Sequence, residues 1–159
     1  MKTVHKSVLI WYSAEEMFAL VTDVTKYPEF LPWCDQARVL SRDAGGITAE
    51  VGMALSGIRQ SFVTKNVHTE GRKVSLSLVK GPFSHLAGEW SFSPLVDSTN
   101  VQAADGSGGA LVQRACRVGL TLDYRFDNRA LAALIGPVFD RIAGSLVDAF
   151  VKRAEQVYR

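Results

Sequence analysis

From residue 36 to residue 126 apolar side chains recur at every second position, in runs broken by glycine-containing turns. Ile47, Ala49, Val51, Met53 and Leu55 share one face, while Thr48 and Glu50 point away. After the turn signal Ser56-Gly57, Ile58, Phe62, Thr64 and Asn66 share a face opposite Lys65. Beyond Glu70-Gly71, Val74, Leu76 and Leu78 alternate with Ser75 and Ser77. Beyond Gly81-Pro82, Leu86, Gly88, Trp90 and Phe92 alternate with Glu89, Ser91 and Ser93. Val118, Leu120, Leu122, Tyr124 and Phe126 then alternate with Gly119, Thr121, Asp123 and Arg125. Alternation over such lengths marks half-buried strands, and strands joined by turns pair antiparallel with one dry face. A helical bundle and an all-parallel sheet are excluded, and something must cover the dry face.

The cover is at the C-terminus. The last 30 residues read as one helix, with Asp127 or Asn128 as N-cap. Leu131, Ile135, Val138, Ile142, Leu146 and Ala149 form its apolar stripe, flanked by Phe139 and Phe150. Asp140, Arg141, Asp148, Lys152 and Glu155 lie on the other side. Pro137, after Gly136, removes one backbone bond and predicts a kink.

Ahead of the alternating region, residues 3–12 read as a strand carrying Val4, Val8 and Ile10. Ser13 and Glu16 form a capping box that opens a short helix holding Met17, Phe18, Leu20 and Val21. In the following Tyr27–Cys34, Pro28 and Pro32 leave room for at most one helical turn. Residues 96–109, rich in Gly, Ser, Asp and Asn, read as a long hairpin loop. The expected fold is α+β: a curved antiparallel sheet of about six to seven strands around a long C-terminal helix, with two short helices after strand 1. All 159 residues form one domain.

Composition removes several functions. The net charge of +2 is too small to imply a phosphate-tracking surface by itself. The cations, among them Lys2, Lys6, Arg38, Arg59, Lys65, Arg72, Arg117, Arg125, Arg129 and Arg153, are spread along the chain and mostly alternate with acids, as on a solvated surface. Two cysteines, Cys34 and Cys116, make no disulfide scaffold and read as reduced thiols of a cytoplasmic protein. The N-terminus lacks the apolar stretch of a signal peptide, and no run approaches the ~20 apolar residues of a membrane span.

Catalytic patterns are missing. His5, His68 and His85 pair with no carboxylate or cysteine at helical or metal-ligand spacing. Neither a nucleophile-elbow motif nor a phosphate-binding glycine loop occurs. No catalytic residue, metal ligand or cofactor is therefore assigned. A sheet curled round one helix does leave an apolar gap, which is the default ligand site.

Three stretches carry a family resemblance: Tyr27-Pro-Glu-Phe-Leu-Pro-Trp-Cys34, the run from Gly81 through Trp90 and Phe92 to Pro94-Leu95, and Val118–Phe126 leading into the helix. The layout resembles the helix-grip fold of START and birch-pollen-allergen-like proteins. The three stretches resemble the coenzyme Q-binding and ribosome-association toxin RatA family, also called oligoketide cyclase/lipid transport proteins. Residues 96–109 depart from it, where the family usually has a short connection. The resemblance implies a non-enzymatic protein that holds an isoprenoid quinone such as ubiquinone and supports respiratory electron transfer. It also implies a second, rival role, binding the large ribosomal subunit and blocking subunit association. A polyketide cyclase or aromatase is the third reading, and only His68 or His85 could supply its acid/base group.

The expected ligand-contacting residues come from four places. Phe30 and Trp33 belong to the proline-bounded segment, which reads either as a lid plugging the open core or as a pocket mouth touching a bilayer, and in both as a separate flap that would gate entry. Phe62, Thr64 and Asn66 share one strand face, the two polar ones reading either as a local hydrogen-bond pair or as contacts to a quinone carbonyl. Phe83 follows the Gly81-Pro82 turn, and Trp90 and Leu120 lie on inward strand faces. Ile135, Val138, Ile142 and Leu146 form the helix stripe, core and pocket wall at once. An isoprene unit brings about 3–4 kcal/mol gross at roughly 0.8 kcal/mol per buried CH₂, so no charged clamp is required. A protein of the cytoplasm, touching the inner membrane transiently, fits this reading.

Overall fold

The computed structural model describes residues 1–95 and 115–158. β1 (Lys2–Ile10) leads into α1 (Ala14–Thr22) and a 3₁₀ helix (Val24–Glu29). Six strands follow: β2 (Cys34–Asp43), β3 (Gly46–Leu55), β4 (Ile58–Thr69), β5 (Lys73–Lys80), β6 (Phe83–Pro94) and β7 (Cys116–Phe126). The long helix α2 (Arg129–Val157) ends the chain. The seven strands form one antiparallel sheet in the order β1-β7-β6-β5-β4-β3-β2. The helix-grip expectation is met. The stretch 96–109 lies outside the described residues.

Local chemistry accounts for the element ends. Ser13 Oγ accepts from the Glu16 N–H at 3.0 Å and Glu16 Oε1 accepts from the Ser13 N–H at 2.8 Å, which is the capping box read from the sequence. Ser56 (φ 55°) and Gly57 (φ 79°) make the two-residue turn between paired Leu55 and Ile58, both with the positive φ that matches strand twist. Of the two candidate caps, Asn128 is the one used, its side chain accepting from the Leu131 N–H at 2.9 Å. α2 runs on through Pro137, which is exposed.

Two expectations need correction. Within the period-two region that opens at residue 36 the sequence marks no run for β2, and Cys34, the last residue of the proline-bounded segment, is the first residue of this strand. β2 is a sheet edge with two register shifts and mostly polar residues, so its alternation is broken. Asp140 was placed on the solvent side of the helix, yet it sits over the sheet margin. It accepts the Tyr124 hydroxyl on one oxygen and the Lys2 ammonium on the other, tying β1, β7 and α2 together.

α2 fills the concave face and divides the core in two. Ile135, Val138, Phe139, Ile142 and Ala143 pack with β3, Leu86, Leu122, Tyr124 and the segment from Val24 to Cys34. Val147, Phe150 and Ala154 pack with α1, Ile10, Trp90, Phe92, Val118 and Leu120. By length and composition α2 is apolar enough to cross a membrane, but its apolar stripe is buried against the sheet.

Candidate functional site

Where the two halves of the core meet, the side chains leave a cavity of about 90 Å³. Strand residues Ala49, Val51, Phe62, Val74, Leu76, Leu86, Trp90 and Leu122 form its floor. Phe139, Ile142, Ala143, Leu146 and Phe150 of α2 form its roof, and Val21, Val24, Tyr27, Leu31 and Trp33 close one end. Thr64 and Asn66 complete the lining.

Those two are the buried polar side chains among the described residues, each 7 % exposed. The Thr64 hydroxyl donates to Asn66 Oδ1 at 2.7 Å. β4 places both on the inward face through strict alternation with Lys65. A register shift against β5 between Val63 and Thr64 sits beside them. Gly46 holds Asn66 from behind: a Cβ at that position would lie 1.9 Å from the Asn66 carbonyl oxygen. A side chain at residue 46 would therefore displace the strand that carries the polar pair.

The proline-bounded segment is wall rather than exposed flap. Leu31 is 1 % and Trp33 7 % exposed. Tyr27 and Phe30 stand edge-on to Phe150, at 5.5 and 5.1 Å between ring centroids. The Tyr27 hydroxyl donates to the Val21 carbonyl, and burial pushes its phenol upward. The Arg153 guanidinium lies 4.9 Å over the Phe30 ring and reaches Glu29 at 3.2 Å. The exposed residues of the segment are Pro28, Glu29 and Pro32, while Tyr27 and Phe30 are half-buried and Leu31 and Trp33 buried.

Seven of the twelve expected ligand-contacting residues line the cavity: Trp33, Phe62, Thr64, Asn66, Trp90, Ile142 and Leu146. Five do not. Phe30 packs on the outer side of Phe150. Phe83 stands behind Phe62 and Phe139, at 6.0 and 5.0 Å. Leu120 faces inward but packs into the half of the core under α1. Ile135 and Val138 are buried beside the cavity without lining it. The lining also includes Tyr27 and Leu31 of the proline-bounded segment, and Val51, Leu122, Phe139 and Phe150, which the sequence marks as core without assigning them to the site. Each is apolar in a suitable pattern, but only long-range packing decides which of many such residues faces a gap.

Neither histidine proposed for a cyclase lines the cavity. His85 is exposed. His68 stands edge-on to Phe18 at 5.8 Å, its buried Nε2 without a partner among the described residues. Desolvation pulls its imidazole below the usual value. Cys34 and Cys116 are buried, and desolvation pushes both thiols up to about 11. Among the described residues no group of three or more His, Cys, Asp or Glu could hold a metal.

Comparison with known proteins supplies the family. Residues 10–151 match the family described as polyketide cyclase / dehydrase and lipid transport. The chain belongs to that family, and its relatives include both groups seen in the sequence resemblance. A ribosome association toxin RatA of Vibrio cholerae is 38 % identical over 99 % of both chains. A mitochondrial coenzyme Q-binding protein COQ10 homolog B of Xenopus laevis is 27 % identical, over 96 % of this chain and 58 % of its own. A START superfamily protein of Mycobacterium smegmatis superposes with a TM-score of 0.74 at 19 % identity, covering 98 % of both chains. The Zhui aromatase/cyclase of Streptomyces sp. R1128 gives 0.77 at 15 % identity, covering 99 % of this chain and 96 % of its own. These last two share the fold.

Proposed function

We propose that this protein is a carrier for an isoprenoid quinone of the ubiquinone type, held between α2 and the sheet without covalent chemistry. The observation that carries the reading is the Thr64–Asn66 pair in an otherwise apolar wall. Buried polar groups need partners. With Asn66 Oδ1 engaged by the Thr64 hydroxyl, the Asn66 carboxamide nitrogen is the donor that remains to meet a ligand in the cavity. A ligand suited to this wall is apolar over most of its surface and offers a hydrogen-bond acceptor at one place. A quinone carbonyl on a prenyl tail has that pattern. The coenzyme Q-binding relative agrees with it.

The cavity of about 90 Å³ is smaller than the roughly 300–1,000 Å³ of ordinary ligand sites, so binding requires side chains to move apart. Trp33 and Trp90 line the cavity and Trp11 is 83 % exposed, so tryptophan fluorescence reports occupancy. Titration with a short-chain ubiquinone should quench the emission saturably at one equivalent. Quenching that never saturates would sink the reading.

A second reading rests on the relatives named ribosome association toxin, at 36–38 % identity over nearly the whole chain. In it the same domain binds the large ribosomal subunit from the cytoplasm. Several cations are neutralised by acids, as in Arg38–Glu50 at 2.7 Å, Arg59–Asp35 at 3.0 Å and Arg72–Glu15 at 2.8 Å. Co-sedimentation with ribosomal subunits that weakens as salt rises would support this role. No co-sedimentation at low salt would remove it.

A further inference from the structure

We propose that the N-terminal half of α2 is a docking surface for an anionic lipid bilayer. The outward stripe of this helix changes character midway. Its second half reads Arg141, Ser145, Asp148, Lys152 and Glu155, as a solvated face should. Its first half reads Ala130, Ala133, Leu134 and Pro137, all exposed, with Leu134 at 59 %. Met1, 67 % exposed, adds to the same end of the molecule, sharing a groove of 390 Å³ with Arg125, Ala132 and Pro137.

The rim of this patch is basic. Lys80, Arg125, Arg129 and Arg141 are exposed, and none forms an ion pair with a described residue. Among the described residues, the acids at this end are Asp127, which is exposed, Asp140, engaged by Lys2 and Tyr124, and Glu50 in the groove with Lys80, engaged by Arg38. An apolar stripe with a cationic border complements an anionic membrane surface, where each basic side chain contributes to attraction. A ribosomal RNA partner would use the cations but not the apolar stripe.

The position also serves the cavity. Phe62 lines both the buried cavity and a second groove of 290 Å³ whose lining includes Leu131, Gly81, Pro82 and Lys80. An apolar molecule leaving the bilayer at this face meets the cavity across one aromatic ring. The docking inference does not depend on which lipid fills the cavity.

The test is flotation with vesicles that contain no quinone, so its outcome is separate from that of the ubiquinone titration. Wild-type protein should float with phosphatidylcholine vesicles containing phosphatidylglycerol, stay behind with phosphatidylcholine alone, and detach as salt rises. Replacing Arg125 or Arg129 by Ala should weaken binding by about fivefold each. L134E should weaken it at least as much, whereas L40E, at an exposed residue of the β2 edge, should not. Circular dichroism confirms folding, and the arginine variants stand as the test should L134E unfold. Failure of the wild type to float with the anionic vesicles, equal flotation with neutral ones, or undiminished flotation of the α2 variants would overturn the proposal.

Discussion

Thr64 Oγ1 and Asn66 Oδ1 are 2.7 Å apart, facing a cavity whose other walls are apolar. A pair satisfied only internally would be close to neutral for stability if replaced by apolar groups, whereas breaking one partner leaves a buried acceptor unpaired. Thr64→Val alone should therefore cost about 1–3 kcal/mol in urea unfolding, and Thr64→Val with Asn66→Leu should recover most of it. The double variant should nonetheless lose ubiquinone affinity by about tenfold, the worth of one hydrogen bond of roughly 1–1.5 kcal/mol. Recovered stability with unchanged affinity in the double variant would show the pair to be structural only.

Leu146 and Val138 share a helix but not a role. Leu146 lines the cavity and is half-buried, whereas Val138 is 5 % exposed and lies in the packed core. Leu146→Asn should reduce quinone quenching while leaving the thermal midpoint within a few degrees. Val138→Asn buries an unpaired amide and should lower stability by about 1–3 kcal/mol, with any effect on binding following from that. Equal effects on binding and stability for the two would contradict the placement of the wall.

His68 gives the fold a pH dependence of known sign. Desolvation is the main cause of its lowered value, with Arg42 acting in the same direction and Glu70 and Asp43 opposing it. The folded state thus disfavours the proton that the unfolded chain accepts near the ordinary value of 6.5. Stability should be full above that value and fall as pH drops through it toward the lower folded-state value. His68→Gln should flatten this part of the profile in thermal melts from neutral to mildly acid buffer. A profile that stays as steep in the variant assigns the loss to other groups.

Both thiols should be silent in the native protein. Burial and pKa values pushed up to about 11 leave little thiolate at neutral pH. A thiol-specific disulfide reagent should titrate no cysteine rapidly in buffer and two in denaturant. Prompt reaction of either in buffer would mean that the segment beginning at Tyr27 or the strand beginning at Cys116 opens readily.

The sheet was legible because period-two alternation from Ile47 to Phe126 depends only on which face is dry. The capping box and the Ser56-Gly57 turn were legible because their chemistry is local. β2 was not, since an edge strand is solvated on one side and its two bulges break the alternation. The polar pair was legible as a face shared with Phe62, while its bond and its surroundings were not. The wall was half legible. Leu120 and Leu122 look equivalent in the sequence, and it is α1, packed over one end of the sheet, that takes Leu120 and leaves Leu122 to the cavity. Tyr27 and Phe150 reach the cavity through a contact more than a hundred residues apart, and Phe139 through its contacts with Phe62 and Phe83.

The central claim is tested most directly by what the protein carries. It should be purified without detergent from a quinone-producing host, extracted with organic solvent, and the extract identified by mass spectrometry. An isoprenoid quinone should come off at a substantial fraction of one equivalent and be lost from the Thr64→Val, Asn66→Leu double variant. An extract that is empty or holds only phospholipid, with the wild type unable to take up added ubiquinone, would contradict it.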